Sequence, residues 1–179
     1  WLWSDADRGD RMMRLYNDTY NTERLREFDG SHMTFPGMSK GHLRVQDLDP
    51  HQKDGVARIV YGGSTLLAID VGGGKTNIMI AAGMEMRRLG MSRKIINVVP
   101  NHLPGQWSDD FRKLYPTANV LTANPGDLSK KKRQQFMAKV ATNDWDSVIM
   151  TYRQFEALPV SDATFKQFMG KEIEDLTTG

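Results

Sequence analysis

From about residue 50 onward, the apolar residues of this chain follow two periods in alternation. Short, nearly continuous apolar runs predict buried β-strands at 65–69, 94–99, 119–122 and 146–150. Apolar residues at helical spacing predict helices from Pro50, at 75–89, near 104–115 and at about 127–141. Strands that alternate with helices of this length are typical of βαβ units. The pattern therefore predicts an α/β fold: a doubly wound parallel sheet with helices on both faces.

The two ends of the chain differ from this alternating region. Residues 1–47 are expected to form an N-terminal arm, a helix with an apolar stripe followed by a turn-rich, irregular segment. Residues 161–179 carry Phe165, Phe168, Met169 and Ile173 at helical spacing and are expected to be helical. The main lobe is therefore predicted over 48–160.

A glycine cluster follows the first predicted strand. Gly72, Gly73 and Gly74 lead directly into Lys75 and Thr76, where the next helix is expected to begin. A loop of this kind at a helix N-terminus directs backbone N–H groups at one point and suits a polyphosphate. Lys75 would contact the outer phosphates and Thr76 would ligate magnesium. The segment therefore predicts binding of a nucleoside triphosphate.

This match to the phosphate-loop pattern is incomplete. The full pattern G-x-x-x-x-G-K-[ST] requires glycine at position 69, and this chain has Ile69 there. A glycine-rich turn that only caps a helix is the alternative interpretation. The order of strand, loop and helix favours the nucleotide site.

Composition is consistent with one core plus an appendage. Of the 179 residues, 39% are hydrophobic, and no apolar run reaches the roughly 18–20 residues of a membrane span. The absence of cysteine excludes disulfides and thiolate metal sites, and it fits a cytoplasmic location. The net charge of +2 is too small to indicate a nucleic-acid partner by itself.

One local cluster of charge is more informative. Lys130, Lys131, Lys132 and Arg133 are four consecutive cations. A solvated helix face is the ordinary interpretation of such a run, and a contact with nucleic-acid phosphates is the functional one.

Polar residues also stand where ligands of parallel sheets bind. Pro100, Asn101 and His102 follow one predicted strand, and Thr151 and Tyr152 follow another. The carboxyl ends of strands are the binding edge of open α/β sheets. Amides, hydroxyls and helix N-termini there suit the phosphate backbone of a nucleic acid. Trp107 and Phe111, in contrast, lie at the spacing of a buried helical stripe and are expected to be core.

Gln52 is a candidate for base recognition. Its amide offers both a donor and an acceptor, which match the edge of adenine and not that of guanine. A surface glutamine at the start of a helix is the alternative.

Four segments in series resemble the first RecA-like lobe of Swi/Snf-type superfamily-two helicases. They are similar to L-x-P-x-Q at 48–52, D-x-G-x-G-K-T at 70–76, V-x-P-x-x-L-x-x-Q-W at 98–107 and W-D-x-V-I-x-T-Y at 145–152. The closer resemblance is to the helicase region of large DNA methylase–helicase proteins of phages and mobile elements, whose YDGSH-x-x-FPGM segment looks like 28–38. Asp70 lies one position nearer the lysine than the acid usual in that family and is given no role.

The resemblance implies ATP-driven translocation on, or remodelling of, duplex DNA. Gln52 would contact adenine, the glycines and Lys75 would hold phosphates, and Thr76 would hold magnesium. Residues 100–102 and 151–152 would lie along the DNA.

The same resemblance marks two parts that the chain does not show. No predicted strand ends in an acidic pair, and the second lobe with its arginine fingers is absent. The chain is therefore expected to be a fragment that binds ATP weakly and hydrolyses it negligibly alone. A methylase domain and a second lobe are expected as partners in a parent chain. The alternatives left open are a P-loop phosphotransferase such as a kinase, and a non-catalytic nucleic-acid-binding platform.

Overall fold

A computed structural model of the chain describes residues 6–20, 26–39, 41, 47–127, 129 and 131–158. The helices are α1 (Ala6–Tyr20), α2 (Pro50–Gly62), α3 (Lys75–Arg88), α4 (Pro104–Leu114), α5 (Arg133–Thr142) and α6 (Tyr152–Glu156). The strands are β1 (Ile95–Val99), β2 (Val120–Thr122) and β3 (Ser147–Thr151). The helix predicted within 161–179 lies outside the described residues.

The three strands form one parallel sheet in the order β1-β3-β2. Ile95 aligns with Ser147 at one end of the β1–β3 pair, and Val99 aligns with Thr151 at the other. Helices α3, α4 and α5 alternate with these strands along the chain, as βαβ units require. The prediction of an α/β fold with a parallel sheet is confirmed.

Apolar side chains cover both faces of the sheet. One cluster joins Val99 and Ile149 to α2, α3 and α4, and its largest fully buried side chain is Phe111. The other joins Val148 and Met150 to Phe136 on α5. Because neighbouring residues of a strand point to opposite faces, β3 contributes to both clusters. Trp107 and Phe111 are buried, as expected.

The strand predicted at 65–69 is wrong. Residues 65–70 carry no regular secondary structure, although burial alternates along them as in a strand. Leu66 is 87% exposed, while Leu67 and Ile69 pack against the core. Leu67 and Asn97 of β1 both line a cavity of about 430 Å³. No described strand pairs with this segment, and β-structure requires a hydrogen-bonded neighbour.

Helix α5 begins later than predicted. The sequence suggested a helix from about 127, whereas the structure starts α5 at Arg133. The Asp127 carboxylate accepts a hydrogen bond from the Asn124 N–H at 2.9 Å and stabilises a turn there. The carbonyl of Ser129 then accepts hydrogen bonds from the N–H groups of Lys132 and Arg133, where the helix begins. Most of the basic run therefore precedes α5 instead of lying on its face.

The two parts of the N-terminal region differ in burial. Helix α1 forms as expected, but its apolar residues Leu15, Tyr16 and Tyr20 are 59–73% exposed. The irregular segment after it contributes Met33 and Phe35 to the main core. None of the helices in the described ranges combines the length and apolar character needed to cross a bilayer.

Candidate functional site

The glycine cluster forms a tight loop at the start of α3. Gly72 and Gly74 have φ of 89° and 75°, in the left-handed region that favours glycine. Gly74 is the N-cap of α3, and its carbonyl accepts the first helical bond from Ile78 at 3.1 Å. A Cβ at position 74 would stand 2.1 Å from Nε2 of Gln52. The left-handed torsion therefore favours glycine at position 74, and an added Cβ would displace the Gln52 amide.

Lys75 reaches back over this loop. Its Nζ donates to the carbonyl of Ile69 at 2.8 Å and to the carbonyl of Asp70 at 2.9 Å. The ammonium group is thus held at the start of the loop by two neutral acceptors, and the side chain spans the loop from the N-terminus of α3. Phosphate oxygens are stronger acceptors for an ammonium group than carbonyls are. Thr76, half-buried, follows as the second residue of α3.

The residues present therefore fit a bound polyphosphate. The loop is short, an added Cβ at Gly72 would meet open space, and a cation and a helix N-terminus lie at the end of the loop. Thr76 provides a hydroxyl at the position where a magnesium ligand is expected. The described residues contain no group of three or more carboxylates and histidines that could hold a metal ion by themselves.

The first turn of α2 lies against the same loop. Gln52 is 7% exposed, and its Nε2 donates to the carbonyl of Gly73 at 3.3 Å. Its Oε1 accepts a bond from the Asp49 N–H at 3.1 Å, one half of a capping box. In this conformation both ends of the amide bond to backbone. His51 was missed from sequence, yet its Nε2 lies 3.1 Å from the same carbonyl.

The two polar segments expected to contact DNA lie side by side. Val99 and Thr151 are partners at the carboxyl ends of β1 and β3, so Pro100 and Tyr152 follow at the same edge. Asn101 and His102 are exposed, and Tyr152 is 55% exposed.

A capping box that sequence reasoning missed fixes this edge. The Thr151 hydroxyl accepts a hydrogen bond from the Gln154 N–H at 3.3 Å, and the Gln154 Oε1 accepts from the Thr151 N–H at 2.8 Å. The Gln154 amide also donates to the carbonyl of Asn124 at 2.9 Å, which connects α6 to the turn after β2. The T-x-x-Q spacing at 151–154 is the signal that could have found it.

The basic run lies at this edge as well. Lys131 and Lys132 are exposed, and Arg133 is the first residue of α5. Lys130 lies outside the described residues. Because α5 leads from the carboxyl end of β2 to the amino end of β3, its first turn belongs to the carboxyl edge of the sheet. The loop before α3 lies toward that edge as well, because the other end of α3 contacts Asp146 directly before β3.

An ion-pair cluster fixes the opposite edge. Arg87, near the end of α3, contacts the carboxylates of Asp144 and Asp146 at 2.8 and 2.5 Å. Hydrogen bonding to Asp144 raises the pKa of Arg87 and lowers the pKa of Asp144. These bonds hold the end of α3 against the start of β3, which orients the phosphate loop at the other end of the helix.

The fold and the site together define an α/β protein with a phosphate-loop-like turn at the edge of a parallel sheet. A family model described as "probable helicase domain" matches residues 59–179. The match covers more than half of the chain, and the chain belongs to this helicase-domain family. It includes the glycine loop and the segments after β1 and β3, and it begins after Gln52. No curated protein matches the chain.

Proposed function

We propose that this chain is the ATP-binding lobe of a DNA helicase or translocase, with a RecA-like, doubly wound fold. The observation that carries the proposal is the loop before α3, a glycine turn across which Lys75 donates to the carbonyls of Ile69 and Asp70. Membership of a helicase-domain family supports the same reading. The relation to Swi/Snf-type and methylase–helicase proteins is part of the proposal and rests on the sequence motifs.

Each residue of the site has a role in this proposal. Gly72, Gly73, Gly74 and Lys75 bind the phosphates, and Thr76 ligates magnesium. Gln52 contacts adenine, for which its amide has to leave the carbonyl of Gly73. ATP supplies the phosphoryl group, and the chain's part is to position and neutralise it.

The carboxyl edge of the sheet is the proposed DNA surface. Asn101, His102 and Tyr152 are exposed there beside Thr151, and the basic residues 131–133 border the same edge. This combination suits contacts with phosphates and not with base edges, so we expect little sequence preference.

Hydrolysis needs groups that the described residues do not provide. No described strand is followed by a pair of acidic residues. A second lobe with an arginine finger would contribute about 10³–10⁵ in rate. We propose that the intact parent supplies these parts, and that this chain alone binds ATP weakly and turns it over negligibly.

Thermal unfolding with and without MgATP tests the nucleotide site. Binding to the native state raises the unfolding free energy by about 2.7 kcal/mol at 100 times Kd, so the wild type should show a higher Tm. Lys75→Ala should lose this shift. Lys113→Ala, an exposed lysine of α4, is the matched control and should keep it. An equal Tm shift for wild type and Lys75→Ala would contradict the binding of MgATP at this loop.

Salt-dependent binding of a duplex of random sequence tests the DNA edge. Replacing residues 130–133 by alanine should flatten the slope of log K against log salt, by about 0.9 per lost phosphate contact. The control is Arg112→Ala with Lys113→Ala in the last turn of α4, at the opposite edge of the sheet. An unchanged slope for the first variant would make the basic run an ordinary solvated surface.

Two outcomes would favour the alternatives. DNA binding without any effect of MgATP on Tm indicates a binding platform. Nucleotide binding without DNA binding indicates a phosphotransferase.

A further inference from the structure

Two neighbouring side chains of α2 converge on one carbonyl of the phosphate loop. The Gly73 oxygen lies 3.1 Å from Nε2 of His51 and 3.3 Å from Nε2 of Gln52. A carbonyl has two lone pairs, so it can accept both bonds. His51 can only donate here if Nε2 carries the proton.

The anchored carbonyl determines where the next amide points. The peptide unit between Gly73 and Gly74 is planar and, in the trans form, directs its C=O and N–H to opposite sides. With the oxygen held against α2, the Gly74 N–H is directed away from α2. The Gly74 amide is one of the groups at the start of α3 on which a phosphate would be bound.

The element that provides the two donors is itself fixed. Val56, Ala57 and Val60 bury one face of α2 in the main core. The Asp54 carboxylate accepts a bond from the Gly30 N–H at 2.9 Å, and Lys53 forms an ion pair with Asp47 at 2.8 Å. Donors on a rigid helix can hold a glycine loop, which has little conformational preference of its own.

We propose that His51 is a positioning residue for the phosphate site, a role that it shares with Gln52. Its hydrogen bond to the Gly73 carbonyl fixes the peptide of Gly74 in the phosphate-binding orientation before the nucleotide arrives. His51 thereby acts on the phosphates through the loop and does not contact the base. This proposal rests on the proposed function, because it needs a polyphosphate at the loop.

Two probes separate positioning from base contact. MgATP carries a base, whereas inorganic tripolyphosphate with magnesium does not. His51→Phe keeps a ring and removes the donor. The variant should weaken the binding of both probes by the same factor, about fivefold, which is the size expected for one lost neutral hydrogen bond. His51→Gln keeps a donor and should recover most of that loss.

His32→Phe is the matched control. His32 is an exposed histidine that stacks on Tyr61 with ring centroids 6.2 Å apart, away from the loop. It should leave both affinities unchanged. The amide resonance of Gly74 adds a readout that general destabilisation would not move: it should shift in His51→Phe and stay in place in His32→Phe. If His51→Phe does not fold, His51→Ala gives the same comparison without added bulk.

The outcomes distinguish this proposal from the proposed function. If Lys75→Ala abolishes binding of both probes while His51→Phe changes neither, the nucleotide site stands and the role of His51 is refuted. A loss confined to MgATP also refutes it, because it would make His51 a base contact. If Lys75→Ala changes nothing, the nucleotide site itself fails.

Discussion

Residues 65–69 and strand β1 resemble each other in sequence, yet only β1 is a strand. Both are short apolar runs followed by a turn. β1 aligns with β3 along its whole length, from Ile95 to Val99. Residues 65–69 face cavities on two sides, one of about 810 Å³ beside Phe28 and one of about 430 Å³ beside Asn97. An apolar run thus becomes a strand only where another strand completes its hydrogen bonds.

The largest expected effect lies in the packed half of the molecule. Phe111→Ala should lower the free energy of unfolding by about 3–5 kcal/mol, because it empties a fully buried site between α4 and the sheet. Leu66→Ala in the unpaired segment should change it by about 0.5 kcal/mol or less. Urea denaturation measures both. Similar losses for the two variants would show that Leu66 is buried and not exposed.

A substitution in the loop should have an intermediate effect. Gly74→Ala places a methyl group against Gln52 and forces a non-glycine residue to φ of 75°. We expect a loss of about 1–2 kcal/mol in stability from the torsion alone. Gly90→Ala is the control for torsion, because Gly90 is the left-handed glycine that follows α3, with φ of 72°, and an added Cβ there meets open space. Equal losses of stability in the two variants would show that the contact with Gln52 adds nothing to the cost of the torsion.

The two edges of β1 should differ in amide exchange. The Ile95 N–H bonds to the carbonyl of Asp146, so the alternation of a parallel ladder directs Asn97 and Val99 to β3 as well. Ile96 and Val98 then point to the edge without a described partner. Hydrogen exchange should be about tenfold or more faster at Ile96 and Val98 than at Asn97 and Val99. Equal protection would mean that a further strand covers β1.

The smallest expected effect is the pH dependence of the Arg87 cluster. The hydrogen bond from Arg87 lowers the pKa of Asp144 in the folded state. Its contribution to stability is therefore present above the unfolded pKa of about 3.9 and is lost as pH falls through the lower folded value. Asp144→Asn should be slightly less stable than wild type at pH 7, and the two should converge in acid. A constant difference down to the lowest pH would contradict this assignment.

The sequence was most informative where packing is local. The helices from Pro50 and from Lys75 begin where they were predicted, because proline and glycine mark their starts, and the second ends within one residue of its predicted end. The parallel sheet followed from the alternation of the elements.

The sequence was least informative where long-range contacts decide. Residues 65–69 have the composition of a strand, and only the position of the other strands shows that they lack a partner. The delayed start of α5 depends on a turn made by the Asp127 side chain. His51 had no signal of its own, since its partner is a backbone oxygen 22 residues away.

The most direct test of the account is an amide-resolved titration of the chain with MgATP. Binding at the loop predicts that the largest resonance shifts fall on Gly72, Gly74, Lys75 and Thr76, and that Lys75→Ala removes them. Shifts confined to other parts of the molecule, or shifts at the loop that survive Lys75→Ala, would contradict the nucleotide site and with it the helicase function proposed here.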